Sequence, residues 1–151
     1  GLRHRDGGLG YGERPVMPAE LTVLALSGLL LLAHIFAAIH VKTKQYGVDW
    51  NMGARDEDTR GDLPPLNPLA GRLERARDNY LETLPLAIIA LGGVVLAGKA
   101  SELTAIAAWV WLGARVVYLP LYGAGVPRVR TYVWGVALLA LLTVLGVLLL
   151  G

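Results

Sequence analysis

Four long blocks of apolar residues dominate the chain, and polar or glycine-containing segments separate them. The blocks cover residues 19–41, 79–97, 101–122 and 131–150. A helix rises about 1.5 Å per residue, so about 20 mostly apolar residues cross the hydrocarbon core of a bilayer. Each block has about that length. The pattern predicts an all-α integral membrane protein, built as a bundle of four transmembrane helices.

Local signals at the ends of these blocks agree with helices. Ser101 opens the third block, where its hydroxyl suits an N-cap. Pro85 lies inside the second block, and because the residue before a proline resists helical angles, we expect a local bend near Leu84. Only three residues, 98–100, join the second and third helices. These two helices must therefore be antiparallel neighbours.

The composition supports a membrane protein and excludes several kinds of site. Hydrophobic residues make up 54% of the chain, above the roughly 45–50% that is usual in soluble domains, and the mean hydropathy is +0.50. The net charge is only +2, and the arginines do not form one basic face, so nucleic acid is not an expected partner. With no cysteine and three histidines, the sequence predicts no disulfide, no cysteine nucleophile and no metal site.

The two polar segments that flank the first block differ in character. Residues 1–17 are rich in glycine and charge and do not resemble a signal peptide; we expect them to be disordered or foreign to the native chain, with Met17 as a candidate start. Residues 42–78 hold seven Lys/Arg and seven Asp/Glu, and polar connections of that length tend to carry function. The predicted organisation is one four-helix transmembrane domain over residues 18–151.

The distribution of lysine and arginine predicts the orientation in the membrane. The connections before the second and fourth helices share one side and hold nine Lys/Arg, whereas the N-terminal segment and the connection at 98–100 hold four. Cytoplasmic loops carry the excess of positive charge, so both termini are expected to lie outside the cytoplasm. Aromatic residues near helix ends are usually interfacial anchors, and the tryptophans expected in that role are Trp50, Trp109, Trp111 and Trp134.

A polar helix face leads into the second apolar block. At helical spacing it descends about 10 Å from the cytoplasmic end, and its polar members are Arg72, Arg75, Asn79 and Glu82. A charge at the depth of Glu82 costs a few kcal/mol and almost always faces the bundle interior or a wet cavity. One interpretation is structural, with Glu82 paired to Arg75 or to Arg115 of the third helix. The whole face, together with Arg128 and Arg130, favours a pocket for an anionic ligand.

The same residues resemble a known family. The second helix opens with RARDNYLETLP, which is similar to the second-helix signature of the MAPEG family, the membrane-associated proteins in eicosanoid and glutathione metabolism. The corresponding positions are Arg75, Ala76, Asn79, Glu82 and Pro85. The later run ARVVYLPLYGAGVPRVRTY resembles the passage between the family's third and fourth helices. The resemblance covers the chain from about residue 18 to its end and is to bacterial-type members.

The resemblance implies a homotrimer in a bacterial inner membrane, with membrane lipids around it. Glutathione is the implied co-substrate, bound at each subunit interface near the cytoplasmic face, and a small lipophilic electrophile is the implied second partner. The glutathione-binding residues predicted in this way are Arg72, Arg75, Asn79, Glu82, Arg115, Tyr118 and Arg128.

The resemblance also places catalysis at the junction of the third and fourth helices. A tyrosine of the third helix and an arginine at the start of the fourth would lie near the thiol, and the spacing leaves Arg128 and Arg130 as competitors. We predict Arg130 with Tyr122 as the catalytic pair, since Arg130 is the deeper arginine and precedes Thr131. A guanidinium there would favour the thiolate, which attacks the electrophile.

Two other functions are compatible with this sequence. A non-catalytic scaffold or lipid-binding member of the same family would keep the fold and much of the polar face. A small proton-coupled transporter would use one intramembrane carboxylate, here Glu82. The position of Glu82 near one surface and the lack of a symmetric repeat in the sequence argue against the transporter.

Overall fold

The computed structural model describes residues 16–151, and their regular elements are helical. The elements are α1 (Ala19–Tyr46), α2 (Val48–Met52), α3 (Asp56–Arg60), α4 (Pro68–Ala87), a π-helical segment (Ile88–Gly92), α5 (Gly93–Leu96), α6 (Glu102–Gly123) and α7 (Pro127–Leu150). Four segments are long and apolar enough to span a membrane: Ala19–Tyr46, Pro68–Leu96, Glu102–Gly123 and Pro127–Leu150. The prediction of an all-α protein with four transmembrane helices is confirmed. Residues 1–15 lie outside the described residues, so the expectation for residues 1–17 concerns almost entirely a part of the chain that the structure does not describe.

The second transmembrane segment starts at Pro68, earlier than the apolar block at residue 79 indicates. The side chain of Asn67 accepts a hydrogen bond from the amide of Leu69 at 2.9 Å, and Pro68 occupies the first turn, where its missing N–H costs nothing. The amphipathic stretch before residue 79 is thus continuous with the membrane helix. The helix is irregular at the π-helical segment Ile88–Gly92. This segment follows Pro85, whereas the sequence predicts the irregularity near Leu84.

The four transmembrane segments differ in how closely they pack against one another. Helices α6 and α7 contact each other along a hairpin, and α1 packs on both α4 and α6. The principal contacts of α7 with the second transmembrane segment are made to Ile88–Gly92 and Gly93–Leu96, at the C-terminal end of that segment. Helices α4 and α7 therefore diverge toward their N-terminal ends, and the space between them is called the α4–α7 wedge below.

Aromatic stacking holds α1, α4 and α6 together in the middle of the bundle. The ring of Tyr80 lies between His34, at 4.5 Å between centroids, and Trp111, at 6.2 Å. All three side chains are fully buried. The hydroxyl of Tyr80 also donates to the carbonyl of Ser27 at 2.6 Å. This layer fixes the face of α4 that turns inward and leaves the face of Glu82 outward.

Replacing Tyr80 with Phe is expected to lower the free energy of unfolding by about 0.5–1.5 kcal/mol, because one buried hydrogen bond is lost while the stacking remains. Unfolding in mixed detergent micelles, followed by helical circular dichroism, measures the change. Tyr132, 76% exposed, provides the matched control, and Tyr132→Phe should leave unfolding unchanged. Equal stability of the Tyr80→Phe variant and the wild type would show that the hydroxyl contributes nothing.

The connection between α1 and α4 folds back onto the end of α1 around one tryptophan. The indole of Trp50 is buried and its Nε1 donates to the Asp58 carboxylate at 2.8 Å. The guanidinium of Arg55 and the ammonium of Lys42 lie over the ring, at 4.7 and 5.2 Å from its centroid. Lys42 also forms a salt bridge with Glu74 at 3.1 Å. Trp50 is thus part of a structured cap that joins α1 to α4, rather than an interfacial anchor.

Candidate functional site

A polar cleft of about 260 Å³ opens in the α4–α7 wedge. Helix α4 contributes one side chain to it, and the facing ends of α6 and α7 contribute the others. The lining residues are Asn79, Tyr118, Tyr122, Arg130, Thr131 and Trp134. Because α4 and α7 diverge here, this cleft lies toward the N-terminal ends of these two helices and opens sideways between them. It is called the polar cleft below.

Two arginines and two tyrosines form a ladder along the cleft. The guanidinium of Arg130 lies 4.3 Å from the centroid of Tyr122, whose ring contacts Tyr118 edge-on at 5.6 Å. The guanidinium of Arg115 lies 4.3 Å from Tyr118 on the inner side. Residues 115, 118 and 122 recur at steps of three and four and so share one face of α6. The arginine–tyrosine ladder therefore runs from the start of α7 into the bundle, with a cation at each end.

Asn79 has a defined amide orientation. Its Oδ1 accepts a hydrogen bond from Nη1 of Arg115 at 2.9 Å, so its Nδ2 group is left to donate toward the cleft. Arg130 is a donor only, and the hydroxyls of the two tyrosines and Thr131 can donate as well. Within residues 16–151, which the structure describes, no carboxylate lines the cleft. A site with this set of donors suits an anionic ligand rich in acceptors, such as a carboxylate.

The other predicted arginines lie around the cleft in different ways. Arg75 is exposed, with its guanidinium 6.0 Å from the ring of Tyr122, at the mouth of the cleft. Arg72 donates from Nε to the carbonyl of Gly123 at 2.8 Å and so ties the start of α4 to the end of α6. Arg128 is exposed and does not line the cleft. The structure thus brings Arg75 and Arg130 to the cleft, and not Arg128.

Glu82 and Arg115 are not paired with each other in the subunit. Glu82 is exposed on α4, and neither Arg75 nor Arg115 forms a salt bridge with it among the described residues. Arg115 is fully buried, and the one hydrogen bond that it makes to described residues goes to the neutral amide of Asn79. The interpretation of Glu82 as half of an ion pair within the chain is therefore wrong for the subunit described.

Sequence reasoning missed one feature next to the cleft. Four buried N–H donors that have no hydrogen-bond partner among the described residues belong to three side chains that line a narrow gap between α4, α6 and α7: Arg115 Nε, Arg115 Nη2, Trp111 Nε1 and Trp134 Nε1. The sequence carried one signal for it, since Trp134 follows Arg130 by four residues and shares its face of α7. Trp111, expected at the membrane interface, is fully buried.

Residues 21–150 match the sequence model of the MAPEG family. The chain belongs to the MAPEG family. The match begins two residues inside the first transmembrane segment and covers the other three segments and every residue of the polar cleft, so the resemblance extends well beyond the second helix. Members of this family are membrane proteins linked to glutathione, and this chain is an integral membrane protein. No curated protein and no solved structure matches it significantly.

Proposed function

We propose that this MAPEG protein is a glutathione transferase or peroxidase-like enzyme that conjugates or reduces lipophilic electrophiles with the thiolate of glutathione. The observation that carries the proposal is the arginine–tyrosine ladder in a cleft without a carboxylate. Such a cleft favours an anionic ligand, and the family is linked to glutathione. The lateral opening of the wedge gives a membrane-dissolved electrophile access to it.

Binding is assigned to α4. Arg75 at the mouth of the cleft offers a planar fork for two-point contact with a glutathione carboxylate, and the amide of Asn79 donates deeper in. The Glu82 carboxylate would pair with the ammonium group of glutathione. Tyr118 lies between the binding and reacting ends, and Arg72 and Arg128 flank the site. These contacts would fix the position of the thiol, and proximity would supply much of the acceleration.

Chemistry is assigned to Arg130 and Tyr122. A free thiol has a pKa of about 8.5 and is only a few per cent thiolate at pH 7. The guanidinium of Arg130 stabilises the anion, and the Tyr122 ring holds that guanidinium in place. The thiolate sulfur forms a bond to an electrophilic carbon, and the displaced electron pair goes to the leaving group or to an oxygen, which takes up the proton released by the thiol.

Glutathione at about 100 times its dissociation constant is expected to stabilise the protein by about 2.7 kcal/mol through mass action. Thermal unfolding in detergent measures this. Arg75→Ala should lose most of the effect, whereas Arg77→Ala should keep it, because Arg77 pairs with Asp78 at 3.1 Å outside the cleft. A melting temperature indifferent to glutathione, but dependent on pH through a carboxylate titration, would instead favour the proton-coupled transporter. Stabilisation without turnover would favour the scaffold.

A homotrimer is the proposed assembly. Arg75 and Glu82 lie on an exposed face of α4, where a charge facing lipid is costly, and a closed ring covers that face equally in every copy. Detergent-corrected mass measurement should return three chains, and Glu82→Gln should keep the trimer while weakening stabilisation by glutathione. A monomeric or dimeric wild type would contradict the assembly.

The proposed location is a bacterial inner membrane, with both termini outside the cytoplasm. The distribution of lysine and arginine supports this orientation of the termini.

A further inference from the structure

The first two turns of α4 pack against the turn, residues 124–126, that joins α6 to α7. The side chains of Leu69 and Leu73 lie against the last residue of α6, Gly123, where an added Cβ atom would be 3.9 and 3.5 Å from their methyl groups. Arg72 lies beside them on α4, is partly exposed, and reaches across to the turn itself. The start of α4 therefore touches the connection between the two helices that carry the arginine–tyrosine ladder.

Arg72 makes two contacts with this turn. Its Nε donates to the carbonyl of Gly123 at 2.8 Å. Carbonyls in the last turn of a helix lack a donor within the helix, and a cation beside them is favoured by the helix dipole. The guanidinium also lies against Gly125, where an added Cβ atom would be 3.6 Å from Nε and 3.7 Å from Cζ. Gly125 has a φ of +75°, a conformation that suits glycine. We call these two contacts the Arg72 clamp.

The polar cleft lies between two ties that join the second transmembrane segment to the α6–α7 hairpin. At the C-terminal end of that segment, Ile88–Gly92 and Gly93–Leu96 pack on α7. At its N-terminal end, the long side chain of Arg72 spans the space that the diverging helices leave. Asn79 of α4 and Arg130 of α7 line the cleft between these ties. The Arg72 clamp is therefore one of the contacts that set the width of the cleft.

We propose that Arg72 is a positioning residue for Arg130, and that it acts through the hydrogen bond from its Nε to the turn rather than by binding glutathione with its charge. The inference rests on the proposed glutathione chemistry at Arg130. Arg72 does not line the polar cleft, whereas Arg130 lies in the first turn of α7, directly after the clamped turn. Arg75 follows one turn later on α4. The clamp thus holds the carboxylate-binding helix and the thiol-stabilising helix at one spacing, and a displacement of about 1 Å can cost on the order of 10²-fold in rate.

Two substitutions separate the hydrogen bond of Arg72 from its charge. The amide nitrogen of glutamine is as many bonds from Cα as the Nε of arginine, so Arg72→Gln keeps a donor for the Gly123 carbonyl and removes the cation. Arg72→Met removes both the donor and the cation. A positioning role predicts that the glutamine variant resembles the wild type and the methionine variant does not, whereas a charge that binds glutathione is lost equally in both. Arg77→Met is the matched control on the same helix, because Arg77 pairs with Asp78 outside the cleft.

Hydrogen–deuterium exchange of the full protein in detergent, without glutathione, tests the clamp itself. The amides of residues 124–126 donate to carbonyls in the last turns of α6, at 2.9, 3.0 and 3.1 Å, and they exchange when the turn opens. Arg72→Met should raise their exchange rate several-fold. Arg72→Gln and Arg77→Met should exchange like the wild type. Equal exchange in Arg72→Met and the wild type overturns the proposal, because the turn would then be held without Arg72.

Ultraviolet titration of bound glutathione tests the positioning of Arg130. In Arg72→Met the pKa of the bound thiol should return toward about 8.5, and turnover at pH 7 should fall on the order of 10-fold with the loss of thiolate. The dissociation constant of glutathione should change no more than several-fold, and Arg72→Gln should restore the wild-type pKa.

Two results of this titration overturn the proposal. One is a thiol pKa in Arg72→Met equal to that of the wild type. The other is an equal loss of glutathione affinity in the methionine and glutamine variants, which would make Arg72 a glutathione ligand. If glutathione does not bind to the wild type, the glutathione proposal fails, while faster exchange in Arg72→Met alone still supports the clamp.

Discussion

Replacement of Arg130 with Ala is expected to lower turnover of a lipophilic electrophile by about 10²-fold, in line with the loss of one group that stabilises a reacting anion. Arg130 is the only cation lining the polar cleft among the described residues, and its guanidinium packs on Tyr122 at 4.3 Å. Binding of glutathione should weaken no more than several-fold, because Arg75 and Asn79 are unchanged. Steady-state kinetics and a glutathione titration of the same preparation separate the two effects.

Arg128→Ala is the matched control for this variant. Arg128 begins the same helix two residues earlier but is exposed and does not line the cleft, and two helical residues turn it about 200° away from Arg130. A side chain in that position reaches water or headgroups. Turnover of Arg128→Ala should therefore stay close to wild type. If both variants lose activity equally, the two arginines serve only to anchor α7, and Arg130 has no part in the chemistry.

Replacement of Arg115 with Met is expected to preserve or raise stability while removing most turnover. A buried cation that has no carboxylate partner among the described residues loses hydration that one amide hydrogen bond and the Tyr118 ring recover only in part. Apolar replacements of whole buried ion pairs are often neutral or stabilising, by about 1–4 kcal/mol. Activity should fall because Asn79 loses the partner that orients its amide. Unfolding in mixed micelles and kcat/KM of the same variant measure the two opposite changes.

Arg72→Met is the control variant against which the stability of Arg115→Met is compared. The guanidinium of Arg72 is partly exposed and donates to the carbonyl of Gly123 at 2.8 Å, so its loss should destabilise the junction of α4 and α6 modestly. A strong destabilisation by Arg115→Met, larger than that of Arg72→Met, would contradict the account. It would show that Arg115 is paired in the assembled protein, with a carboxylate of a neighbouring subunit as its partner.

The four transmembrane segments are predictable from the sequence, because a helix that crosses the bilayer must be apolar and about 20 residues long. Both properties can be read from a short stretch of sequence. The same holds for the polar face of α4, since the spacing of Arg75, Asn79 and Glu82 sets their common side once the helix is assumed. The start of that helix was predicted too late, because the apolar block begins at residue 79, whereas the signal that begins the helix is the Asn67 cap with Pro68.

The interior of the site was not predictable, because it depends on how the helices pack. Trp109 and Trp111 both lie in the middle of α6, two residues apart, and no local signal distinguishes the buried Trp111 from the exposed Trp109. Trp111 is buried because Tyr80 of α4 packs against its ring. Likewise, the partner of Arg115 is Asn79, 36 residues away, and not Glu82. Charge complementarity suggested Glu82, whereas the rotation of α4 set by the stacking of His34 and Tyr80 placed Asn79 there.

The most direct test of the account is the ultraviolet absorbance of thiolate when glutathione binds to the wild-type protein. The account predicts that Arg130 lowers the pKa of the bound thiol from about 8.5 by one to three units, the usual effect of a neighbouring opposite charge, so that a large thiolate signal develops near neutral pH and saturates with binding. The same titration of Arg130→Ala should give a small signal until the pH approaches 8.5. Saturable binding to the wild type with a thiol that still titrates near 8.5 would contradict the account.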